Sequence, residues 1–270
     1  MNMNWKNIYR GFFMGVSDIV PGVSGGTIAV LLGIYDRLIA SINGLFSKEW
    51  KRHLGFLIPL GIGAGLALFS LSHLMEWLID TYPVPTFYTF IGLIIGVLPF
   101  LFHESGAKNN FKLIHYILLV LGIIILVLLP EAQGEGKAIV ERTIDVYITL
   151  FFAGFLASAA MILPGISGSF ILLIMGVYLT VINGLKELDI PVILTVGFGI
   201  LIGLLTMSKV INYFLTHYRT ATFALIIGLV IGSVFVIYPG MPTGLIMWII
   251  SIATFVTGLL IAYLLGRIEY

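Results

Sequence analysis

Two short clusters carry the residue types from which an anion site can be made. Pro21, Gly22, Ser24 and Gly25 recur as Pro164, Gly165, Ser167 and Gly168, so Pro-Gly-x-Ser-Gly stands twice in one chain. Proline lacks the backbone N–H, and the glycine behind it allows φ > 0. A helix broken at such a point restarts with free N–H groups and the positive end of its dipole facing the break. Thr27 and Phe170 fall in the first turns of the restarted helices. Gly25, Gly26 and Gly168 let backbone approach a ligand, and Ser24, Thr27, Ser167 and Ser169 add hydroxyl donors. Those are the parts of an anion site at a helix terminus. Glycine and serine also serve tight helix crossing. Repetition at equivalent positions, with proline each time, favours the site.

Asp18 lies three residues before Pro21, and its counterpart in the second cluster is Met161. An acid inside an apolar segment is costly and marks a functional position by default. It suits a proton-coupling role; the plainer reading is a carboxylate that caps the first tip or pairs with an arginine. Lys209 sits in an apolar stretch opposite His73 of the first half, and either could gather an anionic head group or snorkel to the surface. Arg37 is expected against Asp36 or a lipid phosphate. Glu76, His73 and Asp80 read as a solvated helix end, and the four tryptophans as interface anchors or packing. The five histidines form no H-x-x-x-H pair, and no G-x-x-x-x-G-K loop occurs, so neither a metal site nor a nucleotide cofactor is expected.

These residues are set in a chain that is 59% apolar and 10% charged over 270 residues, with a mean hydropathy of +1.10. Soluble domains run near 45–50% apolar and about 25% charged. The fold class is therefore an all-α polytopic membrane protein. A soluble enzyme and a nucleic-acid binder are excluded, and so is a membrane β-barrel, whose strands would alternate. The net charge of +1 and the absence of cysteine point to no partner and no redox chemistry. No cleavable signal is recognised, so direct insertion is expected.

Six uninterrupted apolar stretches, 54–79, 86–102, 111–129, 191–215, 222–238 and 244–265, are long enough to cross a bilayer. Segments 8–42 and 148–182 are instead broken near the middle by the two clusters. The arms of the first, about 20 and 22 Å at 1.5 Å per residue, do not span. Each segment is expected to be a re-entrant helical hairpin whose tip is buried or lines a wet cavity.

The chain is an internal duplication. At an offset of 143, residues 11–35 match 154–178 at ten of 25 positions, including Gly33/Gly176 and Tyr35/Tyr178. At an offset of 136, residues 86–96 match 222–232 at seven of 11. Each half, 1–135 and 136–270, is read as one hairpin followed by three spanning helices. Three is odd, so the second half is inverted. With both termini in the cytoplasm, nine Lys and Arg fall in inner loops and three (Lys137, Arg142 and Lys186) in outer ones, as the positive-inside rule asks.

The run from Asp18 through Pro21, Gly22, Ser24, Gly25 and Gly26 to Thr27, followed by Gly33 and Tyr35, resembles the polyprenyl-phosphate transporter family of the PopT type. That bacterial and archaeal membrane family was long filed as a domain of unknown function. Pro164 to Ser169, with Gly176 and Tyr178, completes the doubled motif, and the resemblance covers essentially the whole chain. It implies a transporter of the plasma membrane that returns undecaprenyl phosphate from the outer to the inner leaflet, so that the carrier of cell-wall precursors is recycled. Proton or sodium is the expected coupling ion. The bottom-up reading agrees: anion-receptive tips suit a phosphate head, and a glycine- and aromatic-rich groove suits a tail that stays in lipid.

Two rivals come from other classes. Undecaprenyl-pyrophosphate phosphatases also place Pro-Gly-x-Ser on re-entrant hairpins, but follow the serine with arginine and supply paired glutamates. Here Gly25 and Gly168 stand in the arginine's place, and the one E-x-x-x-E, Glu131 with Glu135, falls in a charged loop rather than on a helix beside a hairpin, so P–O cleavage lacks charge stabilisation. A small-anion channel or exchanger is the second rival, with glycine-rich helix ends as its filter.

Overall fold

A computed structural model describes residues 3–19, 24–128 and 143–269. Pro21, Gly22 and the acidic loop with Glu131, Glu135, Lys137, Glu141 and Arg142 lie outside the described residues, as does the expected division between 135 and 136. The described residues are helical, with no strand among them.

The helices run α1 (Asn7–Ile19), α2 (Gly25–Leu31), α3 (Tyr35–Asn43), α4 (Trp50–Thr81), α5 (Pro83–Glu104), α6 (Ala107–Asn110), α7 (Leu113–Leu128), α8 (Ile144–Ile162), α9 (Gly168–Ile174), α10 (Tyr178–Lys186), α11 (Ile190–His217), α12 (Arg219–Ile237) and α13 (Leu245–Glu269). Six are long and apolar enough to cross a membrane: α4, α5, α8, α11, α12 and α13. This is a polytopic all-α membrane protein.

The six are not quite those expected. The stretch 111–129 is described as a helix over 16 residues, α7, and the residues directly after Leu128 lie outside the described ones. The helix α8, expected as a short hairpin arm, has 19 residues and is long enough to span. Counting apolar runs stops at the first charge, whereas a helix does not. α8 takes Asp145 into its first turn, where a carboxylate suits the helix dipole, and α5 continues to Glu104.

The arm after each tip is also shorter than expected, because α2 and α9 each stop after seven residues. The cause is Gly33 at φ 61° and Gly176 at φ 70°. The N–H of Gly33 donates to the Val30 carbonyl and that of Ile34 to Ala29; Gly176 and Val177 repeat the pair on Leu173 and Leu172. Both are Schellman motifs, which need a left-handed residue that glycine supplies without a Cβ penalty. After the second of them the chain turns by 119° into α10.

Packing repeats along with the sequence. α1 lies on α4 and α8 on α11; α5 lies on α13 and α7 on α12. In lipid no hydrophobic transfer drives helices together, so close backbone approach at small residues does it. A methyl group on Gly63 would run into the Ile8 carbonyl, and one on Gly199 into that of Phe151. Gly92 meets the Phe255 carbonyl as Gly228 meets that of Leu119. Each contact is its partner's image at the offsets of 143 and 136. The last two pairs join one half to the other, so the halves interlock around the buried α2, α5 and α12.

Candidate functional site

Ser24 takes extended backbone (φ −121°, ψ 136°) and its Oγ accepts from the Gly26 N–H at 3.1 Å. Ser167 does the same for α9, accepting from the Phe170 N–H at 3.3 Å. Serine is among the best N-caps because its short hydroxyl reaches back to these orphan donors. The two serines therefore cap the restarted helices, a role the anion reading did not assign them.

Glycine works differently from expectation at the tips. Gly25 and Gly168 begin helices and do not need positive φ; Gly165, directly after Pro164, does, at φ 92°. A Cβ on Gly165 would also come within 2.7 Å of the Leu229 carbonyl oxygen of α12. Gly25 is required by proximity. A Cβ there would stand 2.8 and 2.9 Å from the two carboxylate oxygens of Asp18.

Asp18 thus occupies the first tip. Its Oδ1 accepts from the Gly25 N–H at 2.7 Å, a charge-assisted distance. The protein's own carboxylate sits where an anion at the α2 terminus would sit. At the second tip Met161 fills that position and brings no charge; the Ser167 and Ser169 hydroxyls pair with each other at 2.7 Å.

The structure brings the two tips together across the duplication. Thr27 Oγ1 accepts from the Gly165 N–H at 2.9 Å. Ser24 Oγ donates to the Leu163 carbonyl at 3.5 Å, and the Tyr35 hydroxyl to that of Ile162 at 3.2 Å. The first tip is therefore docked on backbone that α8 leaves unsatisfied where it ends. Gly26 lies in the same contact, its Cβ position 3.1 Å from the Ile162 carbonyl oxygen. Burial is uneven: all seven residues of α2 are buried, but only Phe170 of α9.

The remaining candidates stand apart. Lys209 and His73 are exposed on α11 and α4, and neither bonds to a tip among the described residues. Arg37 does not pair with Asp36; its guanidinium stacks 4.8 Å over the Phe56 ring. Asp36 is taken instead by Arg219, at 2.6 Å, which also holds Glu104 at 2.7 Å. This triad joins α3, α5 and α12. Sequence reading counted Arg219 only as a loop charge, since its repeat position is Pro83 and no symmetry signal marks it.

The family model described as undecaprenyl phosphate translocase-like matches residues 14–251, which include both tips and the helices that hold them. The chain belongs to that family. It is 47% identical over 273 residues to the polyprenyl-phosphate transporter of Staphylococcus aureus (strain NCTC 8325 / PS 47), covering 98% of this chain and 96% of the relative. It is 38% identical over 255 residues to the polyprenyl-phosphate transporter of Vibrio cholerae serotype O1 (strain ATCC 39315 / El Tor Inaba N16961), covering 89% and 80%. No solved structure matches the chain. Both relatives are transporters by name, which sets this family member among membrane transporters rather than enzymes.

Proposed function

We propose that this protein carries polyprenyl phosphate across the plasma membrane, returning it from the outer to the inner leaflet for reuse in cell-envelope synthesis. The names of the relatives support the substrate. The observation that carries the mechanism is the meeting of the two tips through Thr27 and the Gly165 N–H. A phosphate head near the bilayer midplane needs several donors from a preformed site, and two half-helix ends from opposite halves supply them. Ser24, Gly25, Gly26 and Thr27, with Gly22, form one side of the cradle; Gly165, Ser167, Gly168 and Ser169 form the other. Arg37 and Lys209 serve the lipid surface. The halves 1–135 and 136–270 are inverted repeats with both termini in the cytoplasm, and exchange of their exposure moves the head from one leaflet to the other.

Asp18 is the coupling group. A carboxylate and a phosphate repel each other at one helix end, so the substrate enters as Asp18 gives up the Gly25 N–H and takes a proton. Protonation on loading links transport to the proton gradient. The test is leaflet-resolved transport of undecaprenyl phosphate in proteoliposomes with an imposed pH gradient. Transport that needs the protein and responds to the gradient is expected. Release of inorganic phosphate from undecaprenyl pyrophosphate marks an enzyme instead, and conduction of small anions without lipid marks a channel.

A further inference from the structure

We infer that the protein has two seats for hydrocarbon chain, one in each half, that hold the isoprenoid segment next to the phosphate of its lipid substrate. The inference rests on the polyprenyl-phosphate reading above. The first seat is a cavity of about 400 Å³ between α7, α11 and α12. The second, of about 300 Å³, lies between α4, α5 and α13. Both volumes lie within the usual range of small-molecule sites, roughly 300–1,000 Å³.

The two cavities are images of one another. Ile211 and Met75, Phe214 and Leu78, Tyr218 and Tyr82, and Thr222 and Thr86 line them at the offset of 136. The third wall obeys the same rule with the halves exchanged. Leu118 of the first half closes the cavity of the second, and Thr254 of the second half closes that of the first. The lining side chains differ, yet the space is kept in both halves. In lipid an apolar hollow gains nothing by hydrophobic transfer, since acyl chains are as apolar as its walls. A hollow kept twice in spite of changed walls is thus held open for an occupant of particular shape.

The lining favours hydrocarbon. Its threonines all donate to backbone carbonyls: Thr222 to Tyr218 at 2.9 Å, Thr86 to Tyr82 at 2.7 Å, and Thr89 and Thr254 to Pro85 at 3.0 and 2.9 Å. That leaves one tyrosine hydroxyl in each lining, Tyr218 and Tyr82, among apolar walls. The first cavity also adjoins the tips, because Leu163 lines it and the Leu163 carbonyl accepts the Ser24 hydroxyl. A head group at the tips therefore has a hollow beside it for the first units of its chain. With the halves inverted, the seats open to opposite leaflets, one for loading and one for release.

The experiment uses the purified protein in nanodiscs with a polyprenyl phosphate carrying a diazirine on its isoprenoid chain. Crosslinks are expected in two clusters, 207–225 and 75–90, removed by unlabelled polyprenyl phosphate and not by phosphatidic acid. Crosslinks spread over the outer face of α13, or removed equally by phosphatidic acid, overturn the seats. Leu225→Trp and Thr89→Trp fill one hollow each. Each is expected to lower crosslinking at its own seat several-fold and to slow transport, with thermal unfolding unchanged. A folded variant that transports at the parent rate overturns the seat it fills. A parent protein that moves no polyprenyl phosphate defeats the function itself; one that moves the lipid while crosslinks avoid both clusters defeats only the seats.

Discussion

The first tip buries the whole helix it starts and the second does not, although one motif builds both. Each has a serine N-cap, a seven-residue helix and a Schellman glycine. The first nevertheless buries all of α2, carries the Asp18 carboxylate on its leading N–H and lends Thr27 to the opposite backbone. The second buries one residue of α9 and has Met161 and Phe170 in the positions of Asp18 and Thr27. Duplication supplied a common backbone, and a few side chains then gave the two copies different work. The first tip alone carries an ionisable side chain, Asp18; at the second, Ser167 is buried and Ser169 half-buried.

That contrast ranks the glycines. Gly25→Val sets a branched Cβ within 3 Å of both Asp18 oxygens, so the carboxylate must leave or the helix must move. Gly168→Val meets the Ala157 carbonyl oxygen at 3.1 Å, which a shift of a few tenths of an ångström relieves. Transport in proteoliposomes should vanish for Gly25→Val and fall only partly for Gly168→Val. Folding is checked by thermal unfolding in detergent. Equal losses would show the tips to be equivalent, and two variants at the parent rate would make both of them packing elements.

Asp18→Asn sharpens the comparison next. The amide keeps the shape and an acceptor for the Gly25 N–H but never carries charge. Transport should persist at a reduced rate and no longer vary with pH across the range where the parent does. Met161→Asp, the converse change, should not create a new pH dependence, because α9, unlike α2, buries only Phe170. An Asp18→Asn protein with the parent's rate and pH profile would remove Asp18 from the mechanism.

The duplication, the breaks between α1 and α2 and at Pro164, and the polytopic class were legible because each leaves a mark in composition or spacing. The length of α8 was not, since hydropathy alone does not reveal whether Asp145 is inside a helix. Gly33 and Gly176 were noted as matches, but glycine is common in membrane helices, so a Schellman stop was not read from them. The candidate site was half legible. Residue types named the tips, whereas Thr27 reaching Gly165, and Asp36 and Glu104 both reaching Arg219, are separations of 138, 183 and 115 residues that only the fold closes.

The next effect is at the seam between the tips. Thr27→Val removes the acceptor of the buried Gly165 N–H and leaves that group without one among the described residues, at a cost of about 1–3 kcal/mol. Phe170→Val, the equivalent position, removes apolar contact but strands no polar group. Thermal unfolding should fall clearly for the first by a polar mechanism, and Thr27→Ser should restore it. Failure of serine to rescue would mean that the Thr27 methyl group, not its hydroxyl, holds the seam.

The smallest expected effect concerns the caps. Ser24→Ala and Ser167→Ala each remove one N-cap, about 1 kcal/mol in a typical helix. At the second tip the bond between the Ser167 and Ser169 hydroxyls is lost as well, at a cost limited by the half-burial of Ser169. At the first tip the Asp18 carboxylate still holds the Gly25 N–H, so the cap is partly duplicated, but the bond from Ser24 to the Leu163 carbonyl is lost as well. At 3.5 Å that bond is long and weak, so the two alanine variants should unfold within a degree or two of each other. The double variant Ser24→Ala with Asp18→Ala, which removes both acceptors, then decides the matter. If serine and aspartate hold the start of α2 jointly, its loss exceeds the sum of the two single losses, whereas Ser167→Ala with Met161→Ala stays additive. Additivity at both tips would mean that Ser24 and Asp18 act independently, and that neither stands in for the other at the start of α2.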